Sequence, residues 1–149
     1  MSIVVARTFV VSAPAPVVLD YLADFGNTGE WDPATRRTTR NDSGPIVVGS
    51  SWHHESKVLG VSTALTYTLC EAEPDKLVFI GRNEGATSTD TITVRPVEDG
   101  AEVTYHVDLE MHGVAKLATP VMKVELEKLG SETAIRLTEV LNRLASQAR

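Results

Sequence analysis

The segment VTYHVDLEM, Val103 to Met111, alternates apolar Val103, Tyr105, Val107, Leu109 and Met111 with polar Thr104, His106, Asp108 and Glu110. A period of two marks a strand with one buried face. A bend at His112-Gly113 follows, and from Leu117 to the C-terminus the pattern turns helical. There Val121, Leu126, Leu129, Thr133, Leu137, Val140, Leu141 and Leu144 approximate one stripe. Lys123, Glu127, Lys128, Glu132, Arg136, Glu139 and Arg143 occupy much of the remainder. A one-faced strand feeding a long amphipathic helix makes two apolar surfaces that must cover each other. Where a sheet curves around such a helix, the space between them is a pocket as readily as a solid core. Ligand binding is therefore the first functional expectation.

Upstream, Ile3 to Val11 reads as a strand rich in Val and Thr. Ser12-Ala13-Pro14 is a helix-start signal with a capping hydroxyl, and Val17, Val18, Tyr21, Leu22 and Phe25 recur at helical spacing. Gly26-Asn27 stops that helix. Thr28 to Asp32 allows one short turn carrying Trp31, ended by Pro33. Thr35 to Asn41 reads as a polar edge strand. Further strands are expected at Ser50–Val58, Ser62–Glu73, Lys76–Arg82 and Thr87–Val97. Turn signals separate them at Asp42–Pro45, Gly60, Pro74-Asp75 and Asp99-Gly100. Such short connections imply an antiparallel meander. Gly130, inside the long helix, hints at close packing or a bend.

Composition narrows the classes. At 149 residues, 42% apolar and 23% charged, the chain reads as one ordinary globular domain spanning 1–149. A net charge of −6 argues against nucleic-acid binding, and Arg36, Arg37 and Arg40 read as a solvated strand face. One cysteine, Cys70, excludes an internal disulfide and fits a reducing compartment; it shares parity with Thr66 and Thr68 and is expected to be inert. No apolar run is long enough to span a membrane, and the N-terminus lacks the basic segment of a signal peptide. A cytoplasmic monomer or homodimer without stable membrane insertion is expected. Four histidines without ligand-like spacing do not suggest a metal. His53 and Glu55 share a face expected to be wet. No HExxH, Gly-rich phosphate loop or nucleophile elbow occurs, so no cofactor is expected.

The order and punctuation of the chain resemble the START-like (SRPBCC) helix-grip superfamily, and within it the polyketide cyclase/dehydrase-like group. The resemblance rests on Ser12-Ala13-Pro14 with the helix to Phe25, Trp31-Asp32-Pro33, Gly49-Ser50-Ser51-Trp52, the run from Glu71 to Phe79, and the helix from Leu117 to Leu144. None of these is a catalytic signature. The resemblance implies an α+β helix-grip fold: a seven-stranded antiparallel sheet wrapped around a long C-terminal helix, with two short helices after the first strand. It also implies a cavity between sheet and helix, in families ranging over aromatase/cyclases, lipid and sterol carriers and quinone-binding chaperones.

Strand parity then nominates the pocket wall. Trp52, His54 and Ser56 share one face, Tyr67 and Tyr105 the corresponding faces of their strands, and Leu126 the helix stripe. Aromatic walls with hydroxyls and one imidazole suit a planar, mostly apolar ligand. Asp90 shares parity with Ile92 and Val94, and is either a buried acid near the cavity mouth or a strand-start residue in water. Trp31 resembles the aromatic that these families place beside the pocket entrance; its other reading is a plug closing one end of the core. His54 is the candidate general base or acid, with Tyr67 or Tyr105 polarising a substrate carbonyl. Its other reading is a neutral histidine bonded to a backbone group or hydroxyl. Three functions follow: binding of a small hydrophobic molecule, a polyketide cyclase/dehydratase activity, or a protein-interaction module with an incidental cavity.

Overall fold

The computed structural model describes residues 2–147. Strand β1 (Ser2–Val11) leads into helix α1 (Ala15–Ala23), a 3-10 turn at Phe25–Asn27 and the short helix α2 (Thr28–Trp31). A meander follows: β2 (Thr35–Arg40), β3 (Ser51–Val58), β4 (Val61–Glu73), β5 (Lys76–Arg82), β6 (Ala86–Val97) and β7 (Gly100–Met111). A second 3-10 segment at Gly113–Ala118 delivers the chain into α3 (Thr119–Gln147), 29 residues long. The last two residues of the expected helix lie outside the described residues. The seven strands form one sheet in the order β1-β7-β6-β5-β4-β3-β2, with every pairing antiparallel. This is the helix-grip arrangement.

Two close approaches set how the sheet and α3 meet. A Cβ on Gly130 would lie 2.7 Å from Cγ1 of Val5, so glycine lets the middle of α3 rest directly on β1. Arg7, on the inner face of β1, reinforces the contact. Its Nη2 donates to the Glu127 carbonyl at 3.0 Å and to Glu127 Oε2 at 2.9 Å, and also reaches Ser131 Oγ at 3.2 Å. Farther along, Ser12 does not cap α1 as expected. Pro14 is the N-cap, without a side-chain bond, while the Ser12 amide and hydroxyl both donate to Asn142 Oδ1 at 2.9 and 3.1 Å. Tertiary pairing has taken over the local capping group.

The core is densest at the end of the sheet that α1 covers. Trp52, Phe79, Leu22, Leu69, Ile92 and Leu137 are essentially inaccessible there. Two expectations for the surface are corrected. Val121 is exposed and Met122 faces inward instead, because Met122 precedes Leu126 by four residues and shares its helix face, whereas Val121 precedes it by five. Arg40 is not part of a solvated face. Its guanidinium binds Asp42, the carbonyls of Gly44 and Pro45 and the Ser50 hydroxyl, and lies 6.0 Å from the Trp52 ring centroid, so it folds the β2–β3 loop back onto the sheet.

The turns hold one surprise each. At Asp99-Gly100 the left-handed residue is Asp99 (φ 65°), whereas Gly100 is required because a Cβ there would sit 1.9 Å from the Val11 carbonyl oxygen. At the β3–β4 hairpin Leu59 (φ 53°) and Gly60 (φ 77°) both adopt positive φ, although leucine tolerates that region poorly. Leu59→Asn is expected to raise stability by about 1 kcal/mol, read as a shift in denaturant midpoint at constant slope. An unchanged midpoint would mean that packing of the leucine side chain offsets its backbone strain.

Candidate ligand-binding site

Between the concave face of the sheet and α3 lies a cavity of about 450 Å³. Its apolar walls include Val107 and Leu109 from β7 and Met122, Leu126 and Leu129 from α3. Small residues lining it (Ala34, Gly85, Ala86, Ala115, Gly130 and Ala134) are too short to fill the gap, which is why the space stays open. Its exposed lining residues include Leu59 and Val61 of the β3–β4 hairpin and Ala118 just before α3; these mark its mouth.

Polar groups gather on the buried part of the wall in two hydrogen-bonded sets. In the first, the Thr35 hydroxyl donates to Asp32 Oδ2 at 2.8 Å and therefore accepts from His54 Nε2, also at 2.8 Å. That assigns the proton to Nε2. Nδ1 of His54 is buried with no hydrogen-bond partner. In the second set, Ser88 donates to Asp90 Oδ1 at 2.7 Å and Tyr105 donates to Asp90 Oδ2 at 2.9 Å. Asp90 is only 4% exposed, and no cation pairs with it among the described residues. Burial pushes its carboxyl up to about 6. The Ser88 and Tyr105 hydrogen bonds pull it back down, the charge of Asp32 raises it further, and His54 lowers it.

Aromatic rings fix this polar wall. Tyr67 stacks on Phe25 with centroids 4.3 Å apart, and His54 meets both rings edge-on at 5.3 and 5.5 Å. Trp31 packs edge-to-face on Tyr105 at 5.5 Å. Burial, followed by the nearby charge of Asp90, holds the Tyr67 and Tyr105 hydroxyls well above the usual tyrosine range, so both remain protonated donors. Tyr105 keeps some accessible surface because it borders the open cavity.

Residues 2–149 match the family model described as polyketide cyclase / dehydrase and lipid transport. The chain belongs to this family. Solved structures agree on the fold. The ZhuI aromatase/cyclase from a Streptomyces species is 14% identical, with a TM-score of 0.75 over 99% of this chain and 95% of that one. A START superfamily protein from Mycobacterium smegmatis is 18% identical, with a TM-score of 0.72 over 98% and 99%. A protein from Chromobacterium violaceum is 16% identical, with a TM-score of 0.70 over 93% and 97%. Among curated proteins none matches. No helix among the described residues is long and apolar enough to cross a membrane.

In this polyketide cyclase/dehydrase-family protein, Trp31, His54, Ser56, Tyr67, Asp90, Tyr105 and Leu126 all border the one cavity. Trp52 and Ile92 do not. The Trp52 ring is covered by Phe25 and Phe79 (centroids 6.0 and 5.9 Å away), and α1 fills the concave face beside Ile92, so both are solid core. Trp31, 3% exposed, is a buried wall and not an entrance residue. Asp90 takes the buried position of the two that its parity allowed. His54 borders the cavity, yet neither nitrogen is free: Nε2 serves Thr35 and Nδ1 is sealed.

Five polar residues of the wall escaped the sequence reading: Arg7, Asp32, Thr63, Asn83 and Ser88. Arg7 and Ser88 share parity with apolar neighbours (Ile3, Val5, Phe9; Ile92, Val94), a signal that was available. Asp32 sits in an irregular segment where parity has no meaning.

Proposed function

We propose that this protein binds a small, mainly apolar molecule in the sheet–helix cavity, with one polar group of that molecule meeting Asp90 and Tyr105. The carrying observation is that one cavity of about 450 Å³ has apolar walls ending on a buried, hydrogen-bonded carboxylate. A volume of that size suits a ligand of two or three fused rings or a short acyl chain. Native mass spectrometry of the purified protein, followed by denaturing extraction, tests it. The expected result is an added mass that disappears on denaturation, or stabilisation by apolar compounds when the protein is purified empty. Absence of both across a broad apolar panel would remove the binding reading.

A second reading is cyclase-type proton transfer, and the Asp90–Tyr105 pair together with the family favours it. A carboxyl pushed up to about 6 is a better base than an ordinary carboxylate and is still ionised at neutral pH. Asp90 would take the acidic proton between two carbonyls of a substrate, while Tyr105 donates to the carbonyl oxygen that receives the charge. Tyr105 has one O–H. When it turns from Asp90 to the carbonyl, the carboxylate loses a donor and gains basicity. Asp90, and not His54, is thus the proposed base. Tyr105→Phe is expected to keep binding within about threefold and to lower turnover by about 10²-fold, in line with one acid–base or oxyanion contact. Equal turnover in the variant would exclude Tyr105 from the chemistry.

A further inference from the structure

Asp90 is a buried carboxylate held only by neutral donors. Ser88 and Tyr105 each satisfy one oxygen, leaving lone pairs on both, and no Lys or Arg among the described residues is within ion-pair reach. Asp32 adds a second carboxylate to the same wall and is itself engaged by Thr35 and the Ala34 amide, with His54 Nε2 3.6 Å from its Oδ2. Arg7 is the sole Lys or Arg among the residues lining the cavity, and its guanidinium is already committed to Glu127, Ser131 and the Ala6 carbonyl. The polar wall therefore presents the Asp90 carboxylate, with no Lys or Arg partner among the described residues, to a largely apolar space. Buried charges are ordinarily paired, and Asp90 lines the cavity with only Ser88 and Tyr105 as donors.

Building on the binding function proposed above, we infer that the cavity selects ligands whose apolar body carries a cationic nitrogen, an aliphatic amine or comparable base, which pairs with the Asp90 carboxylate. A hydroxyl in the same place gains one hydrogen bond to Asp90 and no charge neutralisation. A carboxylate or sulfonate is repelled by Asp90 and Asp32 together and finds no free cation. Selection by charge at the inner wall and by size along the apolar walls are separate terms, so a set of ligands sharing one body isolates the first.

Three probes with the same bicyclic body make the test: 2-naphthylmethylamine, 2-naphthalenemethanol and 2-naphthaleneacetate. Affinities are measured by titration calorimetry on the full chain at about pH 7.5, where Asp90 is ionised and the amine carries its charge. The amine is expected to bind about tenfold tighter than the alcohol, and the alcohol tighter than the acetate. Asp90→Asn is expected to bring the amine down to the level of the alcohol. Because that variant changes the wall, the wild-type protein supplies an independent arm. Lowering the pH to about 5 protonates Asp90, which is faced by Asp32, His54, Tyr67, Ser88 and Tyr105, and is expected to cost the amine most of its advantage.

Equal binding of all three probes would overturn charge selection while leaving the apolar cavity as the binding site. Tightest binding by the acetate would overturn it with the opposite sign. An amine preference that persists unchanged in Asp90→Asn and at about pH 5 would overturn the role of Asp90. Failure of all three to bind would overturn this inference, whereas the binding function on which it rests falls only if native mass spectrometry and the broad apolar panel are negative as well.

Discussion

Asp90→Asn is expected to make the protein more stable at neutral pH, by on the order of 2–3 kcal/mol. Folding moves this carboxyl from its ordinary 3.8 to about 6, chiefly through burial. An acid with a raised native pKa binds its proton more tightly when folded. Across roughly pH 4 to 6 the native state therefore holds a proton that the unfolded chain has lost, and stability falls as pH rises through that window. Above about 6 the whole deficit is present. Asparagine carries no charge to desolvate, still accepts from Tyr105, and leaves the Ser88 hydroxyl free to rotate and accept from its amide. The measurement is a pair of stability-versus-pH curves. The other carboxyl groups contribute to both, so the difference between the curves reports Asp90 alone. It should grow from near zero at about pH 4 to its full size at about pH 7, where it corresponds to a rise in Tm of roughly 5–10 °C. A constant difference across that range would show that Asp90 is not the group that titrates. A residue that costs stability and is nevertheless present at the wall of a cavity fits a functional role for the charge.

Gly81→Ala is expected to lose about 3 kcal/mol and to disturb the cavity at the same time. Gly81 pairs with Tyr67 across β4 and β5, and a Cβ there would stand 2.6–2.7 Å from three atoms of the tyrosine ring. That ring cannot swing aside cheaply: it is 5% exposed, stacked on Phe25, and met edge-on by His54. Displacing it pushes the Tyr67 side chain toward the open volume and breaks the aromatic cluster that seats His54. Denaturant unfolding of Gly81→Ala in the wild-type and in a Tyr67→Leu background separates the ring clash from a general strand effect. The penalty should shrink to below about 1 kcal/mol when the ring is gone. The same penalty in both backgrounds would place the cause in the β5 backbone instead.

These expectations rest on features that differ in how far they can be read from residues alone. Strand limits within one or two positions at β3 to β6, the inward parity of His54, Tyr67, Asp90 and Tyr105, and the helix stripe through Leu126, Thr133 and Leu137 all come from periodicity. Periodicity is local, because each backbone geometry fixes which neighbours share a face. It reached the wall of the cavity by that route, whereas the family came from the resemblance in the order and punctuation of the chain. Parity could not say where along an inward face the packing is solid. Trp52 and Ile92 obey the same rule as His54 and Asp90, yet the 3-10 turn and α1 bury the first pair while small residues leave space beside the second.

Hydrogen-bond partners were less legible still. Thr35 takes His54 Nε2 away from any ligand, Ser12 serves Asn142 instead of its own helix, and Arg7 reaches across to Glu127 more than a hundred positions away. The chain thus encodes its strands, its long helix and the inward residues through short-range pattern. Which inward groups meet open space, which are sealed, and which acid is left without a counter-charge follow only from long-range packing, because burial and pairing are properties of neighbours that the sequence separates.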